Sequence, residues 1–258
     1  MEISDNIKAL WLLIKDQLRS SLKPDLQRKI DEDQIQRARF FSTFIRPGDL
    51  VFDVGANLGN RIGPLLLCKA RVIAIEPQYF CYRYLRLRFG GSIRVLNLAL
   101  GEKEGETEIM LNNSSSTIAS MSQEWISKMK SGRFSATSWS RKQKVKVVPV
   151  QQLIKKHGMP AFIKIDVEGY EPEVLKGMTE PVPKLSFEYT TPEMTASALA
   201  CVERLHQLSP AYLFNYAIAE NTRFELEEWL PADKFKEILH SNVESLGGFG
   251  DIYARIEP

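Results

Sequence analysis

Short apolar runs alternate with amphipathic segments along most of this chain. The apolar runs are rich in Val, Ile, Leu and Phe, as is typical of buried strands, and lie at residues 50–54, 71–77, 93–98, 161–167 and 184–188. The segments between them have helical spacing and lie at residues 61–68, 78–88, 151–157, 171–176 and 194–208. Strands that alternate with helices predict an α/β fold with a mostly parallel, doubly wound sheet.

The two ends of the chain depart from this alternation. Residues 1–45 have a helical pattern that breaks at Lys23–Pro24, and we expect a helical extension there. Residues 212–219 and 222–226 resemble a hairpin, residues 231–240 a helix and residues 251–256 a closing strand. These late strands predict an antiparallel edge on the sheet. We therefore expect a helical extension over residues 1–45 and one domain over residues 46–258.

The apolar stretch Ala9–Ile14 in the first predicted helix leaves several roles open. It is far shorter than the roughly 20 apolar residues that span a membrane, so no transmembrane segment is predicted. An amphipathic helix of this kind packs on its own domain, on a second copy or on a membrane surface. Trp11 and Lys15 suit a membrane surface, whereas Asp5 and Asp16 oppose an anionic one.

Composition narrows the classes of partner and compartment. The 258 residues suffice for one large α/β domain, and the net charge of +2 provides no basic field for nucleic acid, so a nucleic-acid partner is not expected. Cys68, Cys81 and Cys201 have neither metal-ligand nor redox spacing. Together with the absence of a secretory signal pattern, these scattered cysteines predict reduced thiols and a cytoplasmic location. The oligomeric state is left open.

The first predicted strand and its loop carry the strongest chemical signal. Asp53 ends the strand, and Gly55 and Gly59 follow in a loop where the backbone turns tightly and approaches a ligand. Glu76 ends the second strand, where an acid accepts hydrogen bonds from ribose hydroxyls. Ligands of open α/β sheets bind at the carboxyl ends of the strands. This combination predicts a ligand that contains adenosine.

The charge of the loop separates the candidate ligands. The three glycines of a dinucleotide loop are not all present, because Asn57 stands where the second would be. Asp53 would repel a pyrophosphate but would attract the amino group or sulfonium of S-adenosylmethionine. The pattern therefore favours this methyl donor over NAD. An alternative is a non-catalytic binding module, which retains the cofactor pocket but has lost catalytic activity.

Four stretches resemble the FkbM family of methyltransferases. They are residues 51–59, 74–77, 97–101 and, the most specific, 162–171 (Phe-Ile-Lys-Ile-Asp-Val-Glu-Gly-Tyr-Glu), within a resemblance that runs over roughly residues 48–190. The resemblance implies a Rossmann-like class I methyltransferase fold with S-adenosylmethionine as cofactor. It also implies O-methylation of a hydroxyl, typically on a saccharide or a polyketide-like natural product.

The resemblance also implies where parts of the cofactor lie. The methionine end is expected along the first loop, at Asp53, Gly55, Asn57 and Gly59. The ribose is expected at Glu76. The adenine is expected against Asn97, Leu98 and Ala99. Family members differ widely in acceptor, so the match does not name the substrate.

Acidic residues follow the last strands that border the predicted crevice. Four candidate catalytic residues lie there: Lys164, Asp166 and Glu168 at the end of the fourth strand, and Glu188 at the end of the fifth. A carboxylate there would serve as general base for an attacking hydroxyl. Alternatively, Asp166, Glu168 and Glu188 would hold Mg²⁺, which prefers oxygen ligands. The sequence leaves both routes open, and none of the three histidines is our leading candidate for the base.

The segment 112–140 is rich in Ser, Asn and Thr and carries Trp125, Phe134 and Trp139. We expect it to be a mobile lid whose aromatic rings stack on a saccharide or another flat ring. RNA or protein as acceptor is the alternative, and basic residues within 83–88 and 133–146 are the candidates for an RNA-binding patch.

Overall fold

A computed structural model describes residues 2–112, 115–241 and 246–257 of the chain. Its strands are β1 (Leu50–Val54), β2 (Arg71–Ile75), β3 (Arg94–Leu96), β4 (Ala99–Leu100), β5 (Gly105–Leu111), β6 (Arg141–Val148), β7 (Phe162–Ile165), β8 (Lys184–Thr190), β9 (Tyr212–Ile218), β10 (Leu230–Pro231) and β11 (Phe249–Ile256). Its α-helices are α1 (Glu2–Leu22), α2 (Pro24–Phe41), α3 (Ile62–Leu67), α4 (Tyr79–Phe89), α5 (Gln123–Ser131), α6 (Val150–His157), α7 (Glu171–Lys176), α8 (Thr195–Leu208) and α9 (Ala232–Ser241).

Eight strands form one sheet in the order β10-β9-β11-β8-β7-β1-β2-β3. Strands β3, β2, β1, β7 and β8 are parallel to their neighbours in this series, which confirms the predicted doubly wound sheet. Strand β11 runs antiparallel to both β8 and β9. The antiparallel part of the sheet therefore includes an interior strand as well as the edge strand β10.

The predicted hairpin over residues 212–226 is wrong in its second strand. Residues 222–226 form no strand, and β9 pairs instead with β10. The reason lies in Asn215, whose side-chain amide donates to the carbonyl of Leu226 at 2.9 Å and accepts from its N–H at 3.1 Å. This side chain takes the place of the ladder hydrogen bonds that a second strand would make.

Two apolar layers hold the helices on opposite faces of the sheet. Phe52 and Val54 of β1 belong to one layer, which packs against α6 to α9. Val51 belongs to the other layer, which packs against α2, α3 and α4. The division follows from the alternation of side chains along a strand. The two layers do not cover the loops at the carboxyl ends of the strands, so a ligand site can form there.

Helices α1 and α2 confirm the helical pattern of residues 1–45 and its break at Lys23–Pro24. Helix α1 contacts α4, and α2 contacts α3. Among the described helices, none is both long and apolar enough to cross a membrane.

The aromatic residues of segment 112–140 contradict the lid prediction. Trp125 and Trp139 are buried in a cluster of their own with Ile118, Met129 and Met194, so their rings are not available to an acceptor. Helix α5 begins at this cluster, and the Ser122 side chain accepts a capping hydrogen bond from the Trp125 N–H. Residues 113 and 114 lie outside the described part of the segment.

Candidate active site

A cavity of about 180 Å³ lies at the carboxyl ends of β1, β2, β7 and β8. Predicted cofactor residues in its wall are Asp53, Gly55, Asn57, Glu76 and Ala99. Predicted catalytic residues in its wall are Asp166, Glu168 and Glu188. The structure therefore brings both predicted sets into one cavity. Segment 112–140 contributes Ser116, Thr117, Ala119 and Met121, so it borders the cavity with small and flexible side chains.

Gly55 lets two loops of the cavity touch. Its φ is +81°, and a Cβ built there would lie 1.7 Å from the carbonyl oxygen of Asp166. Any other residue would force the first loop away from the loop after β7. The glycine thus fixes the distance between the predicted cofactor end and the predicted chemical end of the site.

Gly59 has a different role from the predicted one. It also has a positive φ, of +82°, but a Cβ there would meet Phe89 at 2.6 Å and Leu85 at 2.9 Å. Gly59 therefore packs against α4 and does not belong to the cavity wall. It is needed for the turn and for the close approach of the helix, and we withdraw it as a residue that lines the methionine end.

Glu76 is held rigidly in the cavity wall. Its carboxylate accepts one hydrogen bond from the backbone N–H of Asn57 and one from that of Gln78, each at 2.7 Å. Burial raises the pKa of Glu76 to about 7, and these two N–H groups act against the rise. Each carboxylate oxygen retains lone pairs for a further donor. The group is therefore oriented to accept hydrogen bonds from a pair of ligand hydroxyls.

Of the three residues expected against the adenine, only Ala99 lines the cavity. The Asn97 side chain donates to the carbonyl oxygens of Glu76 and Pro77, both at 2.9 Å. Leu98 packs against the apolar layer that contacts α6 to α9. Asn97 thus holds the backbone that carries Glu76, and Leu98 packs against the core, so the structure places neither side chain in the cavity wall.

Asp53 has an unsatisfied oxygen in the cavity wall. Its Oδ2 is buried and has no hydrogen-bond partner among the described residues. Burial raises the pKa of Asp53 to about 6, although the charges of Arg61 and Lys164 oppose the rise. A buried polar atom without a partner is costly to a folded protein unless a ligand satisfies it. A donor with positive charge fits this position.

Arg61, beside Asp53, was missed from the sequence. It donates to Glu220, which follows β9, and Arg37 of α2 donates to the same carboxylate at 2.5 Å. Burial alone would raise the pKa of Glu220, but hydrogen bonds and charge from the two arginines lower it to about 2. Arg61 and Glu220 both line the cavity, and nothing in the local sequence pairs residues so far apart in the chain.

Asp166, Glu168 and Glu188 form a cluster of carboxylates. One oxygen from each lies within 4.8 Å of the others. Glu168 adopts a φ of +54°, and Ser120 donates to its carbonyl oxygen at 2.6 Å. Burial and the neighbouring charge of Asp166 raise the pKa of Glu168 and of Glu188 well above the usual range. A buried carboxylate beside another acidic group resists ionisation, because desolvation and like charge both disfavour its charged form.

Lys164 lies behind this cluster and outside the cavity wall. Its ammonium donates to Asp251 of β11 at 2.6 Å and to Asp166 at 3.4 Å. Burial alone would lower the pKa of Lys164, but Asp166 and Asp251 raise it well above its usual value. The group remains protonated and cannot accept a proton. Lys164 was expected to be a catalytic residue, but the structure places it behind Asp166, where it is a positioning residue for that carboxylate.

Comparison with protein families decides the class of this protein. The model described as "Methyltransferase FkbM domain" matches residues 53–229, which is more than half of the chain. The chain belongs to the FkbM methyltransferase family. This FkbM protein is an S-adenosylmethionine-dependent methyltransferase, and its sheet with interior strand β11 is the Rossmann-like fold of that class.

Two solved structures to which the chain is similar are named as methyltransferases. One is precorrin-6y C5,15-methyltransferase from Geobacter metallireducens GS-15, with 11% identity, a TM-score of 0.43 and coverage of 86% of this chain and 87% of that one. Another is an O-methyltransferase from Bacillus cereus in complex with SAH, with 10% identity, a TM-score of 0.39 and coverage of 98% and 91%. Similarity at this level carries no argument about substrate. A search of curated protein sequences found no significant match.

Proposed function

We propose that this FkbM-family enzyme methylates a hydroxyl of a saccharide or small natural product. The observation that carries the proposal is the Asp166–Glu168–Glu188 cluster, which shares one cavity wall with Asp53 and Glu76. S-Adenosylmethionine supplies a methyl group on a positively charged sulfur. A hydroxyl that attacks this methyl group must lose its proton, and the cluster provides acceptors for it.

Three charged side chains fit the parts of the cofactor. We assign the free oxygen of Asp53 to the amino group of the methionine moiety, since a cationic N–H donor satisfies it. We assign Glu76 to the ribose hydroxyls, because backbone hydrogen bonds already fix its orientation. Arg61 is the cation in the cavity wall and suits the methionine carboxylate.

The carboxylate cluster performs the proton transfer in this proposal. A hydroxyl proton would pass to a carboxylate oxygen of Asp166, Glu168 or Glu188 as the methyl carbon exchanges its bond to sulfur for a bond to the hydroxyl oxygen. S-Adenosylhomocysteine would be the leaving group. Burial and the charge of Asp166 raise the pKa of Glu168 and of Glu188, so each is a stronger base in its ionised form than an ordinary glutamate. Lys164 holds Asp166 in place from behind.

Mg²⁺ at the same cluster is the second candidate mechanism. The spacing of the three oxygens suits a hard cation with carboxylate ligands, which would lower the pKa of a bound hydroxyl. Activity that survives treatment with EDTA favours the general base, whereas activity that disappears and returns with Mg²⁺ favours the metal.

The charge of the cavity supports an uncharged, hydroxylated acceptor over RNA. Among the residues that the structure describes, the cavity wall contains a single cation, Arg61. Besides Glu220, it contains five carboxylates: Asp53, Glu76, Asp166, Glu168 and Glu188. Such a wall repels phosphate groups. Ser116, Thr117 and Asn60 offer neutral hydrogen-bonding groups to sugar hydroxyls.

The division of the chain and its location also belong to the proposal. We assign methyl transfer to residues 46–258 and treat residues 1–45 as a helical extension. The cysteines Cys68, Cys81 and Cys201 are buried and free, which supports a reducing, cytoplasmic compartment.

The experiment uses S-adenosylmethionine with a labelled methyl group and a panel of acceptors. The panel contains saccharides, hydroxylated natural products, RNA and protein. We expect label on a hydroxylated small molecule, and we expect Asp166→Asn and Glu188→Gln to slow turnover by roughly 10²–10⁴-fold. Glu106→Gln, at an exposed position of β5, is the matched control. Label only on RNA or protein would contradict the proposal. Unchanged turnover of both cluster variants would remove the cluster from the mechanism.

A further inference from the structure

Helix α1 carries the largest set of exposed apolar side chains in the described part of the chain. Each of them is 47–76% exposed: Ile7, Leu10, Trp11, Ile14, Leu18 and Leu22. Large apolar patches of this kind mark interaction sites in proteins that are otherwise well packed. The cofactor cavity gives no reason for such a surface.

These residues form one continuous stripe. Ile7, Trp11, Ile14 and Leu18 follow each other at intervals of four, three and four residues, which places them on one face of a helix. The opposite face contacts the domain, where Ala9 and Asp5 are buried and α1 packs against α4. The helix is therefore already docked by one face, and its more apolar face points outward.

The charges most exposed along the stripe are positive. Lys8 pairs with Asp5 at 3.9 Å and Arg19 with Asp16 at 3.1 Å, but the two cationic side chains are 50–55% exposed and the two acidic ones only 11–28%. Helical spacing places Lys8, Lys15 and Arg19 together along one border of the stripe, and the Lys15 ammonium lies 5.2 Å from the centre of the Trp11 ring. The two carboxylates of α1 whose side chains are described turn to the domain. Asp5 is buried, and Asp16 accepts a hydrogen bond from the Tyr84 hydroxyl of α4 at 2.6 Å.

This arrangement answers the objection from the sequence that Asp5 and Asp16 oppose an anionic surface. Both acids face the protein, so the outer face presents apolar groups bordered by cations. If two copies of the chain met through this face, the stripe of the second copy would offer no carboxylate to pair with the cations along the border. We propose that the exposed face of α1 binds the surface of an anionic membrane, with the stripe inserted at the boundary between headgroups and acyl chains.

The test uses the full chain and vesicles of phosphatidylcholine with roughly one third phosphatidylglycerol, compared with vesicles of phosphatidylcholine alone. Trp11 is 61% exposed, whereas Trp125 and Trp139 are buried and Trp229 is partly buried against the core. We expect co-sedimentation with the anionic vesicles and a blue shift of tryptophan fluorescence. Trp11→Phe should abolish most of that shift while binding persists. Binding should weaken at about 0.5 M NaCl, because salt screens the attraction.

Two sets of variants separate the apolar and the charged contributions. Ile14→Ser with Leu18→Ser should abolish co-sedimentation. The matched control is Leu67→Ser with Met159→Ser, at two exposed apolar positions away from α1, and it should bind like the parent. Lys8→Gln, Lys15→Gln and Arg19→Gln combined should weaken binding on the order of 100-fold, at about fivefold for each cation.

Circular dichroism and binding of S-adenosylhomocysteine check that each variant is folded. Equal binding of the parent and the Ile14→Ser/Leu18→Ser variant to anionic vesicles would overturn the proposal. The proposal would also be overturned if the parent did not bind vesicles but formed a dimer in light scattering, and if this dimer dissociated in the Ile14→Ser/Leu18→Ser variant. Neither result depends on whether the acceptor is a saccharide, so failure here is distinguishable from failure of the proposed function.

Discussion

Asp53 and Glu76 are buried carboxylates whose pKa values are raised to about 6 and about 7. Their position could be predicted from the sequence, because both end a buried strand beside the same loop. Their raised pKa values could not be predicted, because these depend on how deeply the folded chain buries each carboxylate. Both carboxylates therefore titrate in a range where their ligand's affinity can be measured.

Affinity for S-adenosylhomocysteine should rise with pH between 5 and 7.5. The amino group of this ligand is a cation, and only the ionised form of Asp53 attracts it. With a pKa of about 6 for Asp53, binding at pH 5 should be about tenfold weaker than at pH 7.5. Calorimetric titration at several pH values measures the trend. Affinity that is constant or falls over this interval would contradict the assignment of Asp53.

The stability of the unliganded protein should follow the opposite trend. Burial raises the pKa of Asp53 in the folded chain above its ordinary value of 3.8, so the folded state binds this proton more tightly than the unfolded chain does. The stabilisation is fully present below the unfolded pKa and is lost as pH rises through about 6. Asp53→Asn should remove this loss and gain up to about 3 kcal/mol at pH 7.5 relative to the parent. Urea unfolding at pH 4 and pH 7.5 compares the two proteins, and parallel pH profiles would count against the account of Asp53.

Glu76→Ala should weaken binding of S-adenosylhomocysteine by about 1–3 kcal/mol, because charged hydrogen bonds to the ribose are lost. Glu106→Ala, at an exposed position, is the control and should bind like the parent. Unchanged affinity in a folded Glu76→Ala protein would remove Glu76 from the ribose site.

Elements with a strong local pattern agree well with the sequence prediction. Helix α7 begins at Glu171 and ends at Lys176, as expected, and the strands that border the cavity lie within a few residues of their predicted bounds. The sequence prediction failed where a residue from another part of the chain determines the local structure. Asn215 replaces a ladder with side-chain hydrogen bonds, and Trp125 and Trp139 pack together with Met194 from another part of the chain.

Gly55→Ala tests the contact between the first loop and the loop after β7. The added Cβ would lie 1.7 Å from the Asp166 carbonyl, so the loops must separate. Gly48 has a similar φ of +89° with nothing within 4 Å, and Gly48→Ala therefore carries the backbone strain alone, on the order of 1 kcal/mol. Gly55→Ala should lower the free energy of unfolding by several kcal/mol more and abolish cofactor binding. Thermal unfolding measures both variants, and equal losses would show that the contact is unimportant.

At the scale of the whole molecule, ion pairs join segments that are far apart in the chain. Lys164 of β7 pairs with Asp251 of β11, and Arg61 pairs with Glu220 beyond β9. The sequence predicted that strand ends would meet at one crevice, since this follows from parallel strands in general. It did not predict these pairings, because no local pattern encodes which charged residues face each other across a sheet.

Lys164→Met should destabilise the protein by about 3–5 kcal/mol, because it leaves Asp251 buried without a partner. Lys164→Met combined with Asp251→Leu should recover much of this loss, since an apolar pair can replace a buried ion pair. The double variant should still turn over slowly, because Asp166 lacks its positioning contact. Urea unfolding and methyl transfer assays separate the two effects. A double variant with the turnover of the parent would contradict the positioning role.

The most direct measurement is calorimetric titration of the purified protein with S-adenosylhomocysteine, with NAD as the control ligand. The charge of Asp53 and the orientation of Glu76 predict micromolar binding of S-adenosylhomocysteine and none of NAD. Binding of NAD without binding of S-adenosylhomocysteine by the folded protein would contradict the assignment of the cavity to the methyl donor.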